Sequence, residues 1–135
     1  MRVVGVNAEE FGVKQESFCV IDIRGKQSFL AAHLQNSHHR ASEDEISQFA
    51  LQNATSKPLL ILCFSAKRAK QMCEFLASRA EFVASYAREE IFYLNCGVME
   101  LSDNGFELTS FAPPPHKNPP LNLTTPQTAS LTPNL

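Results

Sequence analysis

The chain has 135 residues, a formal net charge of −2, and 44% hydrophobic against 19% charged residues. That balance excludes a basic nucleic-acid face and a polybasic membrane anchor, and no apolar run reaches the roughly 18 residues of a membrane-spanning helix. The opening Met1-Arg2-Val3-Val4-Gly5 has too short an apolar stretch for a signal peptide, so a soluble cytoplasmic protein is expected, binding neither nucleic acid nor membrane.

Phe18-Cys19-Val20-Ile21-Asp22-Ile23 is a nearly continuous apolar run with β-branched members, the pattern of a strand buried on both faces, and Arg24-Gly25 ends it. A short helix is expected next, through Phe29, Leu30 and Ala31 to His33. Ser42-Glu43-Asp44-Glu45 reads as a capping box with Ser42 as N-cap, and Ile46, Phe49 and Ala50 mark the apolar face of the helix behind it. Lys57-Pro58 opens a second buried strand, Leu59-Leu60-Ile61-Leu62, that reaches Cys63. Ala69, Met72, Cys73 and Leu76 then recur at helical spacing, and residues 82–88 form a further amphipathic stretch. Ile91-Phe92-Tyr93-Leu94 is the third strand-like run. Asp103-Asn104-Gly105 predicts a hairpin turn with Phe106-Glu107-Leu108 as the returning strand. Strands alternating with helices argue an α/β domain with a mainly parallel sheet and right-handed crossovers.

The domain is expected to span residues 1–111. Residues 112–135 hold seven of the eight prolines and a single charged residue, Lys117. Pro-Pro-Pro at 113–115 and Pro-Pro at 119–120 favour extended conformations, so this Pro-rich segment is expected to be a disordered tail. Its alternative use is docking on a protein partner's aromatic groove.

The chemistry is expected at Cys63. A strand that stops at a thiol and turns directly into a helix puts the sulfur at the carboxyl edge of the sheet, where ligands of such folds bind. There it faces the unpaired N–H groups and positive dipole end of the helix's first turn, which favour an anion, and the thiolate is cysteine's reactive form. Lys67 and Arg68 add charge of the right sign. The same edge collects Asp22, Arg24 and Asn95-Cys96-Gly97. Cys19, Cys63, Cys73 and Cys96 show neither Cys-x-x-Cys pairing nor zinc spacing, so reduced thiols are expected. His33, His38 and His39 have no cysteine or carboxylate at ligand spacing in the same element, and no metal site is expected.

Four segments, in this order, resemble the rhodanese family. Phe18-Cys19-Val20-Ile21-Asp22-Ile23-Arg24 resembles its strand ending in Asp-x-Arg, and Phe29-Leu30-Ala31-Ala32-His33-Leu34 its aromatic-x-x-Gly-His-Ile signature. Residues 57–69 resemble its strand and active-site loop. Tyr93-Leu94-Asn95-Cys96-Gly97-Val98 is similar to its late Leu-Glu-Gly-Gly-Ile turn. The resemblance implies a rhodanese-like α/β domain, with a central, mainly parallel sheet of about five strands flanked by helices on both faces. It also implies that Cys63 accepts a sulfane sulfur as a persulfide, inside a cradle of backbone N–H groups from Cys63, Phe64, Ser65, Ala66, Lys67 and Arg68. Such transfer needs no metal or organic cofactor, and the implied partners are a small sulfur donor and a thiol acceptor. In the family pattern His33 is structural.

The chain departs from the pattern at several points. Ala66 stands where the family usually has Gly, and a positive φ there would cost a residue with a Cβ about 1–2 kcal/mol. Ala32 replaces the Gly before His33, Gln35-Asn36 the usual Pro-Gly, and Asn95-Cys96 the usual Glu-Gly, while the usual late Trp is absent.

Each candidate also has a plainer role. Cys63 could be a buried small hydrophobe, but its placement before two cations and a helix start favours a reactive thiol. Arg68 and Lys67 either stabilise a bound anion or are solvated helix residues, and Ser65 either donates to the sulfur or shapes the turn. Asp22 and Arg24 read first as a structural ion pair, with Arg24 the better candidate to face the pocket. Cys19 and Cys73 read as core. Cys96 could resolve an oxidised or persulfidated Cys63 as a disulfide if its turn lies beside the loop.

Three functions compete. The leading one is a sulfurtransferase or persulfide carrier, taking sulfur from thiosulfate or polysulfide and passing it to a thiol or cyanide. The second is a non-catalytic interaction or regulatory module on the same fold. The third is phosphatase or arsenate reductase chemistry of the related cell-cycle phosphatase fold, whose Cys-x5-Arg loop is one residue longer than the Cys63-to-Arg68 spacing.

Overall fold

The computed structural model describes residues 1–52 and 57–110. The expected boundary at residue 111 and the Pro-rich segment 112–135 lie outside them. The elements run β1 (Arg2–Val6), α1 (Ala8–Lys14), a single 3₁₀ turn (Gln15–Ser17), β2 (Cys19–Asp22), α2 (Lys26–Ala31), β3 (His33–Leu34), β4 (His38–His39) and α3 (Glu43–Gln52). Then follow β5 (Leu59–Leu62), α4 (Ala66–Ala77), α5 (Ala80–Tyr86), β6 (Glu90–Leu94), α6 (Val98–Asp103) and β7 (Leu108–Thr109). Five strands form one sheet in the order β1-β6-β5-β2-β4, and every pair in it is parallel. No helix among the described residues is long and apolar enough to cross a membrane.

The strands are apolar throughout because both faces of the sheet are covered, and the period-2 alternation of a strand sorts their side chains into two layers. Ile21, Ile23, Leu59, Ile61, Cys63 and Ile91 share one layer with Ile46, Phe49 and Ala50 of α3, Ala69, Cys73 and Leu76 of α4, and Phe82 and Tyr86 of α5. Val6, Val20, Leu60, Leu62 and Leu94 belong to the other, with Phe11 of α1, Phe18, Leu34, and Val98 and Leu101 of α6. The α/β architecture with helices on both faces is therefore as the sequence implied. β5 is its centre: all four residues are fully buried.

Three details differ from expectation. His33 does not end a helix. α2 stops at Ala31, and His33 enters the short β3, its Nδ1 bonded to the Phe29 carbonyl at 2.6 Å and its ring stacked on Phe29. Asp103-Asn104-Gly105 is not a hairpin turn. Gly105 takes a φ of +89° and closes α6, with Gly105 N–H bonded to the Ser102 carbonyl and Phe106 N–H to that of Leu101. This paired arrangement ends helices as readily as Asn-Gly turns hairpins, because both need the left-handed region. The strand beyond it, β7, pairs antiparallel with β3 rather than returning along β6. Finally, β1 and α1 add an edge strand and a helix before the first expected element. Asn7 caps α1, its Oδ1 accepting from Glu10 N–H at 2.7 Å.

The capping box of α3 forms as expected. Ser42 Oγ accepts from Glu45 N–H at 3.2 Å, and Glu45 Oε1 accepts from the amides of Ala41 and Ser42 at 2.8 and 3.2 Å. Those two amides hold the Glu45 carboxyl below its usual value. A folded-state pKa below the unfolded one gives a contribution that is complete above the unfolded value and is lost as pH falls through the folded one. Denaturation of wild type and Glu45→Gln should show a stability gap at neutral pH that closes on acidification below the carboxylate range. A gap that widens in acid would contradict this assignment.

Candidate active site

β5 hands the chain to Cys63 at the carboxyl edge of the sheet, and α4 begins three residues later. Ser65 is its N-cap, in extended conformation, with Oγ accepting from Arg68 N–H at 3.2 Å. The Ser65 carbonyl accepts from Ala69 N–H at 3.3 Å. In the first turn of α4, the amides of Ala66 and Lys67 have no protein acceptor among the described residues. Ser65 thus uses the Arg68 amide, one of the six expected to form the cradle, to cap the helix. Ala66 incurs no backbone penalty either. It is the first helical residue, and the positive φ among described non-glycine residues is confined to Asn36 and Ala87. Ala is the best helix former, so its presence in place of Gly fits a loop that winds into helix early. Asn36, at φ +70°, occupies the position where the family has Gly, and Asn tolerates that region better than most residues.

Cys63 is 2% exposed as a residue and belongs to the apolar layer under α3, α4 and α5. Phe64, beside it, is 55% exposed. Lys67 and Arg68 are exposed and stand in a first turn without acidic residues.

The late turn lies against this loop. Val98 N–H donates to the Cys63 carbonyl at 2.9 Å, and a Cβ added at Gly97 would overlap the Phe64 carbonyl. Gly97 is required here for close approach rather than for backbone freedom. Glu100 Oε1 accepts from Gly97 N–H at 2.5 Å and holds the turn in place. Cys96 directly precedes Gly97, but it packs against the opposite apolar layer from that of Cys63, and burial raises its thiol pKa, with Glu100 adding to the effect. Burial likewise raises Cys19, partly offset by Lys57, and Cys73, whose Sγ donates to the Phe92 carbonyl at 3.3 Å.

Asp22 and Arg24 form a pair with side chains 0% and 1% exposed. Arg24 Nε lies 3.0 and 3.1 Å from the two Asp22 oxygens, and Nη2 lies 2.8 Å from Oδ2. The same Nη2 donates to the Ala32 carbonyl at 2.5 Å, and the guanidinium sits 5.2 Å from the centre of the Phe64 ring. His39 Nε2 bonds the Arg24 carbonyl at 2.6 Å. The pair thus ties together the ends of β2, α2 and β4, and Arg24 supports Phe64 from beneath. Among the described residues, no His, Cys, Asp and Glu side chains converge as a metal site would require.

Sequence reasoning did not single out Phe75. It joins Ile23, Ala41, Arg68, Gln71 and Met72 around a cleft of about 230 Å³ beside α4. The Arg68, Met72 and Phe75 spacing along one helix was a usable signal, but Ile23 and Ala41 arrive from other elements.

A parallel five-stranded sheet covered by helices on both faces, with a thiol directly after its central strand and a helix start three residues later, defines an α/β domain. The rhodanese-like domain family model matches residues 7–104, and the chain belongs to that family. It is similar to the thiosulfate sulfurtransferase GlpE of Vibrio cholerae, 28% identical over 76 residues that cover 56% of this chain and 71% of that protein. Its fold is similar to a rhodanese-related protein of Thermoplasma volcanium, with a TM-score of 0.60 at 15% identity over 78% of this chain and 97% of that one. It is also similar to a thiosulfate sulfurtransferase of Pseudomonas aeruginosa, with a TM-score of 0.62 at 13% identity over 81% of this chain and 20% of that one.

Breaking the buried pair should be costly. Asp22→Ala leaves the Arg24 guanidinium without its counter-charge, and chemical denaturation should show a loss of about 3–5 kcal/mol. Replacing both residues with apolar ones should recover most of that loss. A single variant as stable as wild type would contradict the structural role.

Proposed function

We propose that the protein is a sulfurtransferase whose Cys63 carries the transferred sulfur as a persulfide. The position of Cys63 carries the reading: it is the residue at the carboxyl end of the central strand, shortly before the N-terminus of α4, where the amides of Ala66 and Lys67 have no protein acceptor among the described residues. Similarity to thiosulfate sulfurtransferases supports the same chemistry. The Cys63 thiolate attacks the sulfane sulfur of thiosulfate, a new S–S bond forms, and sulfite leaves with the electron pair of the broken one. A thiolate or cyanide then attacks the terminal sulfur, and the pair returns to Cys63. The persulfide is an anion, so the free amides of Ala66 and Lys67 and the cations Lys67 and Arg68 favour it over the neutral form. Arg24 acts indirectly, supporting Phe64 at the mouth of the loop. A reducing compartment such as the cytoplasm suits a protein that works through a free thiol.

One observation favours a second reading. Cys63 is a buried residue, only 2% exposed, with the Arg68 amide spent on Ser65, as would suit an interaction module that keeps the fold without the activity. The shorter Cys-x4-Arg loop argues against phosphate chemistry, since a tetrahedral oxyanion needs a larger ring of donors than one sulfur atom.

Treating reduced protein with thiosulfate and weighing it intact separates these readings. The wild type should gain the mass of one sulfur and release one equivalent of sulfite, and Cys63→Ser should gain nothing. No gain in wild type would favour the interaction module, and an equal gain in the Ser variant would remove Cys63 as the carrier.

A further inference from the structure

Phe64 is the exposed neighbour of a buried thiol: it is 55% exposed, against 2% for Cys63. The Arg24 guanidinium lies over one face of its ring, 5.2 Å from the ring centre. That guanidinium makes three contacts to the Asp22 carboxylate and one to the Ala32 carbonyl, and both charged side chains are buried. The ring thus rests against a desolvated group that is itself bonded in place. On the other side of the loop, Gly97 lies against the Phe64 carbonyl. A lone exposed apolar side chain is ordinary. One that rests on a buried ion pair, one residue from the candidate nucleophile, is a built surface.

The reaction at Cys63 leaves the open face of this ring unused. Thiosulfate and cyanide have no apolar part, and the negative face of an aromatic ring does not attract small anions. Lys67 and Arg68, exposed in the first turn of α4, suit the anionic donor instead. What gains from the ring is the body of a sulfur acceptor. Consecutive Cα atoms are about 3.8 Å apart, so a substituent one carbon from a sulfur that meets Cys63 falls within reach of Phe64.

We propose that Phe64 selects the acceptor, and that the acceptor is a thiol with an aromatic group next to its sulfur. The inference rests on Cys63 being a sulfur carrier. The aromatic group packs on the open face of Phe64, offset or edge-on. Contact with this non-reacting part holds the acceptor sulfur at the persulfide, so it appears in the rate constant for transfer. The acceptor thiolate attacks the terminal sulfur of the Cys63 persulfide and the S–S bond breaks. The electron pair returns to Cys63, the acceptor departs as a persulfide, and the proton from its thiol goes to solvent, so no external oxidant or reductant enters.

Two thiols of similar basicity test this, benzyl mercaptan with an aromatic body and 2-mercaptoethanol without one. Each is offered to thiosulfate-loaded full-length protein, and loss of the added sulfur is followed by intact mass. Benzyl mercaptan should be preferred by about fivefold or more in second-order rate constant. The ratio should fall towards one in Phe64→Ser and persist in Phe64→Tyr. It should also persist in Phe75→Ser, which removes a similarly exposed aromatic from α4. A ratio near one in wild type, a ratio unchanged in Phe64→Ser, or an equal loss in Phe75→Ser would each overturn the proposal. A second arm needs no sulfur loading. Alkylation of Cys63 by N-benzyl iodoacetamide is compared with that by iodoacetamide, mapped by peptide mass and referred to the same pair on free cysteine. It should show the same preference and the same dependence on Phe64. A protein that takes up no sulfur yet prefers the benzyl reagent keeps the aromatic contact and loses the transfer chemistry. A protein that loads sulfur but shows no preference in either arm loses the role of Phe64 alone.

Discussion

The structure depends on how β5 ends. It is the central strand, paired on both edges and fully buried on both faces, so its position admits no slack. A one-residue slip would exchange the two layers of side chains and put Cys63 under α1 and α6 instead of α4. Beyond the strand, the chain is fixed by the Val98 N–H bond to the Cys63 carbonyl and by the absence of a side chain at Gly97. Two segments more than thirty residues apart in sequence therefore define one loop, and the loop sets where the sulfur sits relative to the start of α4.

A second constraint holds the neighbouring strand end. The Asp22 and Arg24 pair is fully desolvated, and its geometry compensates that cost: Nε and Nη2 make three contacts to the Asp22 carboxylate, Nη2 also reaches the Ala32 carbonyl, and the guanidinium faces the Phe64 ring. An arginine stacked under an aromatic ring contributes on the order of 0.5–2 kcal/mol. Here it also lies against Phe64, an exposed residue of the loop. The pair is structural in origin and bears on the site through Phe64.

Much of this was legible in the sequence. β2, β5 and β6 were marked by continuous apolar runs, α4 by the spacing of Ala69, Cys73 and Leu76, and α3 by a capping box whose bonds all form. β1 and α1 gave little signal, since a five-residue edge strand and a seven-residue helix with one buried side chain, Phe11, show too short a period. Gly105 misled because one dipeptide serves two left-handed uses. At the site, the order Asp22, Arg24, Cys63, Gly97 along the sheet edge followed from topology. What no local pattern carries is which amide a nearby hydroxyl will consume, as Ser65 does with Arg68, or which layer Cys96 joins. Nor could it show that Ile23 and Ala41 meet Phe75. Those depend on elements brought together only by folding.

The account gives Cys63 a role that Cys19, Cys73 and Cys96 do not share, because burial raises the pKa of each of those three thiols and none of them ends the central strand before a helix. The most direct measurement is steady-state thiocyanate formation from thiosulfate and cyanide in four single Cys→Ser variants. Turnover should disappear with Cys63→Ser and survive in the variants at positions 19, 73 and 96. Turnover that persists without Cys63, or that is lost with Cys96 instead, would contradict the account.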